Sequence, residues 1–186
     1  GATPVVADID ATTLCIDVAD IERRITPRTR AIMVVHYCAH PCDMDAIVAV
    51  ARRHGLKVIE DNSHAHGAMY RRRMCGSLGD VAAASLMSRK SLSAGEGGML
   101  TTDDRGIYER AIAFGHYGRF DELTDAELKR VANPPGFASG LPLGGVKNRM
   151  NQIAAAFGRT QLKHYPARIA EIQDAINRFW SLLEGY

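Results

Sequence analysis

Two kinds of apolar spacing alternate along this chain. Ala31–Val35 is an unbroken apolar run of the kind found in buried parallel strands. Asp43 can cap the segment that follows, where Met44, Ile47, Val48 and Ala51 share one helical face until Gly55 stops it. Residues 57–59 read as the next strand, with Glu60 and Asp61 at its C-terminal end. Upstream, residues 3–8 form a short apolar strand pattern. Asp17 can cap a helix running through Ile25, with Ile21 and Ile25 one turn apart.

Further on, Val81–Ser85 is another short strand pattern and residues 98–102 a further one, with Gly97 and Gly98 allowing a sharp turn before it. Residues 105–114 read as a helix ending at Gly115. Thr124 and Glu127 match a capping box, and residues 133–145 are rich in Pro and Gly and read as an irregular loop. The last third is helical. Met150, Ile153, Ala154 and Phe157 share one face, and residues 165–183 give a long amphipathic helix striped by Ile169, Ile172, Ile176, Phe179 and Leu183.

The order β-α-β-α-β predicts an α/β fold with a mostly parallel sheet. Ligands of open α/β sheets bind beyond the carboxyl ends of the strands, which is where Asp61 falls.

Composition changes this picture little. The 186 residues are 46% hydrophobic with a formal net charge of +2, an ordinary globular balance that gives no case for nucleic acid or a membrane surface as partner. No apolar run approaches the roughly 20 residues that span a bilayer, and the N-terminus has no signal-peptide pattern. The first residue is Gly, and the chain opens directly on a strand-like segment, as expected of a piece of a longer protein. Cys15, Cys38, Cys42 and Cys75 lack a disulfide-framework spacing and read as free thiols of a cytoplasmic protein. Cys38 and Cys42, with His36 and His40, suggest a zinc site. In an extended run, however, alternate residues stand roughly 6.6 Å apart and four in line cannot close on one ion, so no metal is expected.

The candidate chemistry lies in two segments. One is Val58-Ile59-Glu60-Asp61-Asn62-Ser63-His64-Ala65-His66-Gly67-Ala68. The other runs from Ser85 to Gly98 and carries Lys90 among serines and glycines. A lysine beside an arginine is usually a solvated charge, and an Asp after a strand is often a turn residue. Read together, they are what a pyridoxal 5′-phosphate (PLP) enzyme needs. The lysine forms a Schiff base with the aldehyde, and the aspartate keeps the pyridine nitrogen protonated so that the ring acts as an electron sink. The pattern E-D-x-[AS]-[QH]-A-H-G-A, then G-S-L-G-D at residues 76–80, then S-x-x-x-x-K-x-L-x-x-G-E-G-G closely resembles the DegT/DnrJ/EryC1/StrS family of PLP-dependent aminotransferases, best known for aminating keto sugars. The resemblance covers nearly the whole chain.

That resemblance implies a three-layer α/β/α large domain of PLP-transferase type I (aspartate-aminotransferase-like), without its N-terminal segment and C-terminal small domain. Residues 1–164 would be the partial PLP-binding domain and 165–186 a long helix leading toward the small domain. It implies that Lys90 is the Schiff-base lysine and proton carrier, that Asp61 pairs with the pyridinium and that Ser85 donates to the phosphate. His64 would reach the 3′ oxygen, where many members have Gln. At residues 145–150 many members read G-[YF]-N-Y-R-M. Here Lys147 takes the place of the Asn that binds the neighbouring subunit's phosphate, with Asn148 one place later, so a homodimer with shared sites is expected.

The expected reaction moves an amino group from glutamate or glutamine to the keto group of a nucleotide-linked sugar. Amination of a keto-cyclitol, an aminohydroxybenzoate-type synthesis, and a truncated non-catalytic remnant are the alternatives. Members that dehydrate sugars replace the lysine by His, so Lys90 favours transamination.

Overall fold

Strand β1 (Ala31–Val35) runs parallel to β2 (Lys57–Asp61), with Val34 beside Glu60 and Val35 beside Asp61. The computed structural model that shows this describes residues 2–115, 124–126 and 148–184. Between the two strands the chain passes through helix α2 (Met44–Arg53), the crossover that parallel neighbours require. Helix α1 (Val18–Arg24) precedes them. Both helices start where the sequence predicts, because Asp17 Oδ1 accepts the Ala19 N–H at 2.8 Å and Asp43 Oδ1 that of Ala46 at 3.3 Å. Ile21 of α1 and Met44, Ile47, Val50 and Ala51 of α2 pack with Ile32, Val34 and Val58 into one core.

Two short strands, β3 (Met69–Tyr70) and β4 (Arg73–Met74), form a separate antiparallel hairpin. β5 (Val81–Ser85) and β6 (Gly98–Thr101) complete the main sheet in the order β1-β2-β5-β6, with β2 and β5 parallel. Helix α3 (Arg105–Gly115) follows and buries Glu109 and Ala113. Helix α4 (Gln152–Leu183) closes the chain. The chain divides into two units, Gly1–Ser85 with Met99–Arg149 and Leu86–Gly98 with Met150–Tyr186.

Several expectations meet a different outcome. Residues 3–8 join no ladder among the described residues, and Val5 and Val6 are exposed. A strand needs a partner for its backbone groups, and the nearest pairing is one antiparallel bridge between Ile9 and Ile16. The Asp8 N–H instead donates to Asp20 Oδ2 at 2.7 Å. Hydrogen bonds to Asp20 from Arg24, Asp8 and Arg23 outweigh its desolvation and pull its carboxyl from 3.8 down to about 2. The apolar run of β1 predicts burial on both faces. Ile32 and Val34 are buried, whereas Met33 and Val35 are 57% and 42% exposed, so among the described residues only one face of β1 is covered.

The hairpin has no sequence signal of the usual kind. Arg71 and Arg72 turn it with φ of 45° and 68°, left-handed positions that two-residue hairpin loops normally fill with Asn-Gly. Tertiary bonds hold it there: the Tyr70 hydroxyl donates to Asp43 Oδ1 at 2.9 Å and accepts the Asp45 N–H at 3.3 Å, and Arg71 pairs with Asp45.

In the second unit, one 32-residue helix replaces the two that the sequence predicts. Asn151 caps it through a 2.9 Å bond to the Ala154 N–H, and it continues through Pro166. A proline forfeits one i→i−4 hydrogen bond, which so long a helix absorbs. Glu127 of the capping box, the loop at 133–145 and Lys147 lie outside the described residues.

Candidate functional site

In a strand, successive side chains point to opposite faces. At the end of β2 this separates two neighbouring carboxylates. Glu60 points into the core with Val58 and is fully buried, whereas Asp61 is half-buried. Asp61 stands at the carboxyl end of the sheet, in register with Val35 of β1 and Ala83 of β5. Its Oδ1 accepts the Ser63 N–H at 2.9 Å, and Oδ2 accepts no hydrogen bond among the described residues. The Ser63 hydroxyl in turn accepts the Ser85 N–H at 2.9 Å. The Asn62 N–H donates to the Ala83 carbonyl, also at 2.9 Å. The ends of β2 and β5 are thereby tied together, with Asp61 and Ser85 at their tips. His64 follows in the turn, exposed, its ring centroid 5.9 Å from that of Tyr37.

Three of the five sequence-predicted site residues, Asp61, His64 and Ser85, therefore share the carboxyl edge of one sheet. Lys90 belongs to the other unit. It is half-buried in the turn after Leu86, and its N–H donates to the Met87 carbonyl at 2.9 Å. That turn is pinned locally. Leu86 N–H donates to Gly97 and Ala94 N–H to Leu86, and the Ser91 and Tyr165 hydroxyls lie 2.9 Å apart. Leu86, Ala94 and Ala154 form a small apolar cluster beneath it. Lys147 is outside the described residues.

Sequence reasoning missed a second set of residues beneath Asp61. Glu60 Oε1 accepts the N–H groups of Leu78 and Gly79 at 2.7 and 2.6 Å. Its Oε2 accepts that of Gly76 at 2.7 Å and faces His36 Nε2 at 2.9 Å. His36 is also fully buried. Its Nδ1 accepts the Cys42 N–H at 3.1 Å, so the partners assign the proton to Nε2, which donates to Glu60. Burial pushes the Glu60 carboxyl up, but the His36 bond and the amides of Gly79, Gly76 and Leu78 together hold it below its ordinary 4.5.

The glycines of the 76–80 motif now have a reason. Gly76 has φ +90°, and a Cβ there would lie 2.5 Å from Asn62 Nδ2. One at Gly79 would lie 2.8 Å from the Val58 carbonyl oxygen. A signal was present in the sequence. His36 has the parity of buried Ile32 and Val34, and Glu60 that of Val58, on what the order makes adjacent strands.

Cys42 is buried, its thiol donating to the Val35 carbonyl at 3.2 Å, while Cys38 is exposed. Burial and then Cys15 nearby push the Cys42 thiol up to about 12. Among the described residues no three His, Cys, Asp or Glu side chains converge as a metal site requires, and no helix is long and apolar enough to cross a membrane.

The motif, the parallel sheet and the carboxylate at its edge all coincide with one family, whose model, the DegT/DnrJ/EryC1/StrS aminotransferase family, matches residues 1–186. This chain belongs to that family. It is 41% identical over 170 residues to the GDP-perosamine synthase of Caulobacter vibrioides, covering 91% of this chain and 42% of the relative. It is 49% identical over 110 residues to the L-glutamine:scyllo-inosose aminotransferase of Streptomyces griseus, covering 59% of this chain and 26% of that one. The E. coli GDP-4-keto-6-deoxy-D-mannose-3-dehydratase, solved with bound hydrated PLP, superposes with a TM-score of 0.81 at 25% identity, covering 97% of this chain and 47% of that chain. The chain spans less than half the length of the curated relatives it matches. Within the DegT/DnrJ/EryC1/StrS family the mostly parallel sheet with its helices is the α/β architecture of type I aminotransferases.

Proposed function

We propose that this chain is the cofactor-binding part of a PLP-dependent aminotransferase that moves an amino group from glutamate or glutamine to the keto group of a nucleotide-linked sugar. The observation that carries the reading is the half-buried Asp61 carboxylate. One of its oxygens is held by Ser63 and the other is open, at the carboxyl end of a parallel sheet and beside Ser85. This donor set suits PLP: an open carboxylate oxygen for the pyridinium, a strand-end serine for the phosphate and an exposed imidazole for the 3′ oxygen.

When bound, PLP supplies the electron sink that lets a proton leave the amino-acid α-carbon. Asp61 holds the proton on the ring nitrogen as a fixed negative charge, a task a neutral Asn cannot perform. Ser85 donates its hydroxyl to phosphate oxygens. His64 donates to the 3′ oxygen. Lys90 would hold the cofactor through its aldehyde, and its free amine would act as the general base that moves the proton between the substrate α-carbon and the cofactor C4′ carbon. On this reading Lys147 is the point charge for the neighbouring subunit's phosphate, in an active homodimer with shared sites. Residues 1–164 act as the PLP-binding domain, and 165–186 lead to a further domain.

A second reading, glutamine-dependent amination of a keto-cyclitol, is favoured by the identity to the Streptomyces griseus enzyme. A PLP titration followed by visible absorbance tests the common core. A saturable band that glutamate or glutamine discharges, and that Lys90→Ala lacks, supports the reading; a folded protein with no band defeats it. Restoration of the band by a nucleotide-linked keto sugar or by a keto-cyclitol then separates the two acceptors.

A further inference from the structure

We infer that Glu60 and His36 form a positioning pair for Asp61, a role resting on the proposed aminotransferase reading because it acts through the cofactor's carboxylate partner. Neither residue reaches the carboxyl edge where cofactor would bind, since both side chains are fully buried on the opposite face. Their effect runs through the backbone. His36 grips both residues: its N–H donates to the Asp61 carbonyl at 3.1 Å, while its ring donates to the Glu60 carboxylate at 2.9 Å. The same ring takes the Cys42 N–H, which ties in the chain entering α2. Three amides of residues 76–79 complete the Glu60 shell. Gly76 packs against Asn62, whose Nδ2 donates to the Cys75 carbonyl at 3.0 Å, so the residue after Asp61 is held as well.

The pair is chemically suited to this. An ionised carboxylate with four donors in a buried site is a strong, directional anchor, because every bond is charge-assisted and water does not compete. Four donors use the lone pairs of Glu60, which leaves it closed to a ligand, while Asp61 next door keeps one oxygen open. A carboxylate that must meet a ring nitrogen within hydrogen-bond reach needs such support, since sites lose function when their backing is loose by about 1 Å. A pair that serves stability alone would soften the unit evenly. A positioning pair softens the strand end selectively, and the Asp61–Ser63–Ser85 chain of bonds reports it.

The test compares the full chain with Glu60→Gln, which puts an amide donor where the amides also donate. His36→Asn is the second variant; it can still accept from Cys42 but withdraws the bond to Glu60. The first readout is site-resolved amide hydrogen exchange without cofactor. The expected result is that Ser63 and Ser85 amides exchange at least about tenfold faster while Ile47 and Val50 in α2 stay within about twofold of the parent. Parent-like rates at Ser63 and Ser85, or equal acceleration in α2, overturn the inference. If Glu60→Gln fails to fold, the same comparison in His36→Asn decides.

The second readout is the pH profile of the visible PLP band, whose midpoint is expected to move by at least about half a pH unit in the variant, as a displaced Asp61 charge requires. A parent with a Lys90-dependent band and a variant with an unmoved midpoint overturns the inference. A parent with no band defeats the aminotransferase reading instead, and the exchange rates then judge whether the pair holds the strand end.

Discussion

Glu60 and Asp61 are neighbours with the same chemistry and opposite situations. Glu60 lies in the core with both oxygens saturated by His36 and three amides; Asp61 lies at the sheet edge with one oxygen engaged. The difference comes from strand alternation, which sends one carboxylate to each face of the sheet. A buried carboxylate persists as an anion only when its environment replaces its hydration, and that replacement makes it structural and unavailable. A carboxylate left partly open at a strand end remains available to a ligand. On the proposed reading, two adjacent acids divide the work of anchoring and of chemistry.

Removing each in turn breaks the comparison most sharply. Glu60→Ala strands three half-buried amides and the buried His36 Nε2–H, and is expected to destabilise the fold by about 3 kcal/mol or more. Urea unfolding measures it, and a loss below about 1 kcal/mol would contradict the anchoring role. Asp61→Asn keeps the oxygen that accepts from Ser63. Its stability is expected within about 0.5 kcal/mol of the parent, whereas the proposed transamination should fall about a hundredfold or more. Stopped-flow half-reactions check the rate; a nearly active Asp61→Asn removes that carboxylate from the mechanism.

Gly76→Ala attacks the anchor from the other side. Its Cβ would lie 2.5 Å from Asn62 Nδ2 at a φ of +90°, and a loss of about 2 kcal/mol is expected from clash and strain together, read from thermal unfolding.

Acid titration sharpens the same contrast. The folded Glu60 carboxyl is held below its ordinary 4.5, so between the two values the unfolded chain binds more protons than the native one. Its contribution to stability is complete above 4.5 and is lost as pH falls through the folded value. Asp20, pulled to about 2, behaves the same way further down. Glu60→Gln should therefore show a flatter stability–pH curve just below 4.5 than the parent while keeping the loss that Asp20 causes. Two curves of equal slope would place the acid sensitivity elsewhere.

The smallest effect is a gain. Replacing Arg71-Arg72 by Asn-Gly suits the left-handed hairpin turn and should add about 0.5–1 kcal/mol, offset in part by the lost Arg71–Asp45 pair. No change or a loss would mean that the pairing outweighs the turn preference.

Most elements were legible before the structure. Asp17 and Asp43 announced their helices, and Ala31–Val35 and Val81–Ser85 their strands, because capping and apolar runs are properties of a few adjacent residues. Asp61 and Ser85 could be placed at strand ends for the same reason. The strand expected at residues 3–8 failed because a strand depends on a partner outside itself. The Arg71-Arg72 hairpin was illegible because Tyr70 and Arg71 are held by Asp43 and Asp45, more than twenty positions away in the chain.

By itself the sequence determined the family and most of the order of elements, and it marked the residues proposed for cofactor chemistry. Tertiary structure alone decided that among the described residues β1 is covered on one face, that α4 runs on through Pro166, and that His36 meets Glu60 across 24 positions. Parity and capping act within one turn or strand, so they are written locally. Which buried donor finds which buried acceptor depends on strands brought side by side by folding, and only the assembled sheet fixes that choice.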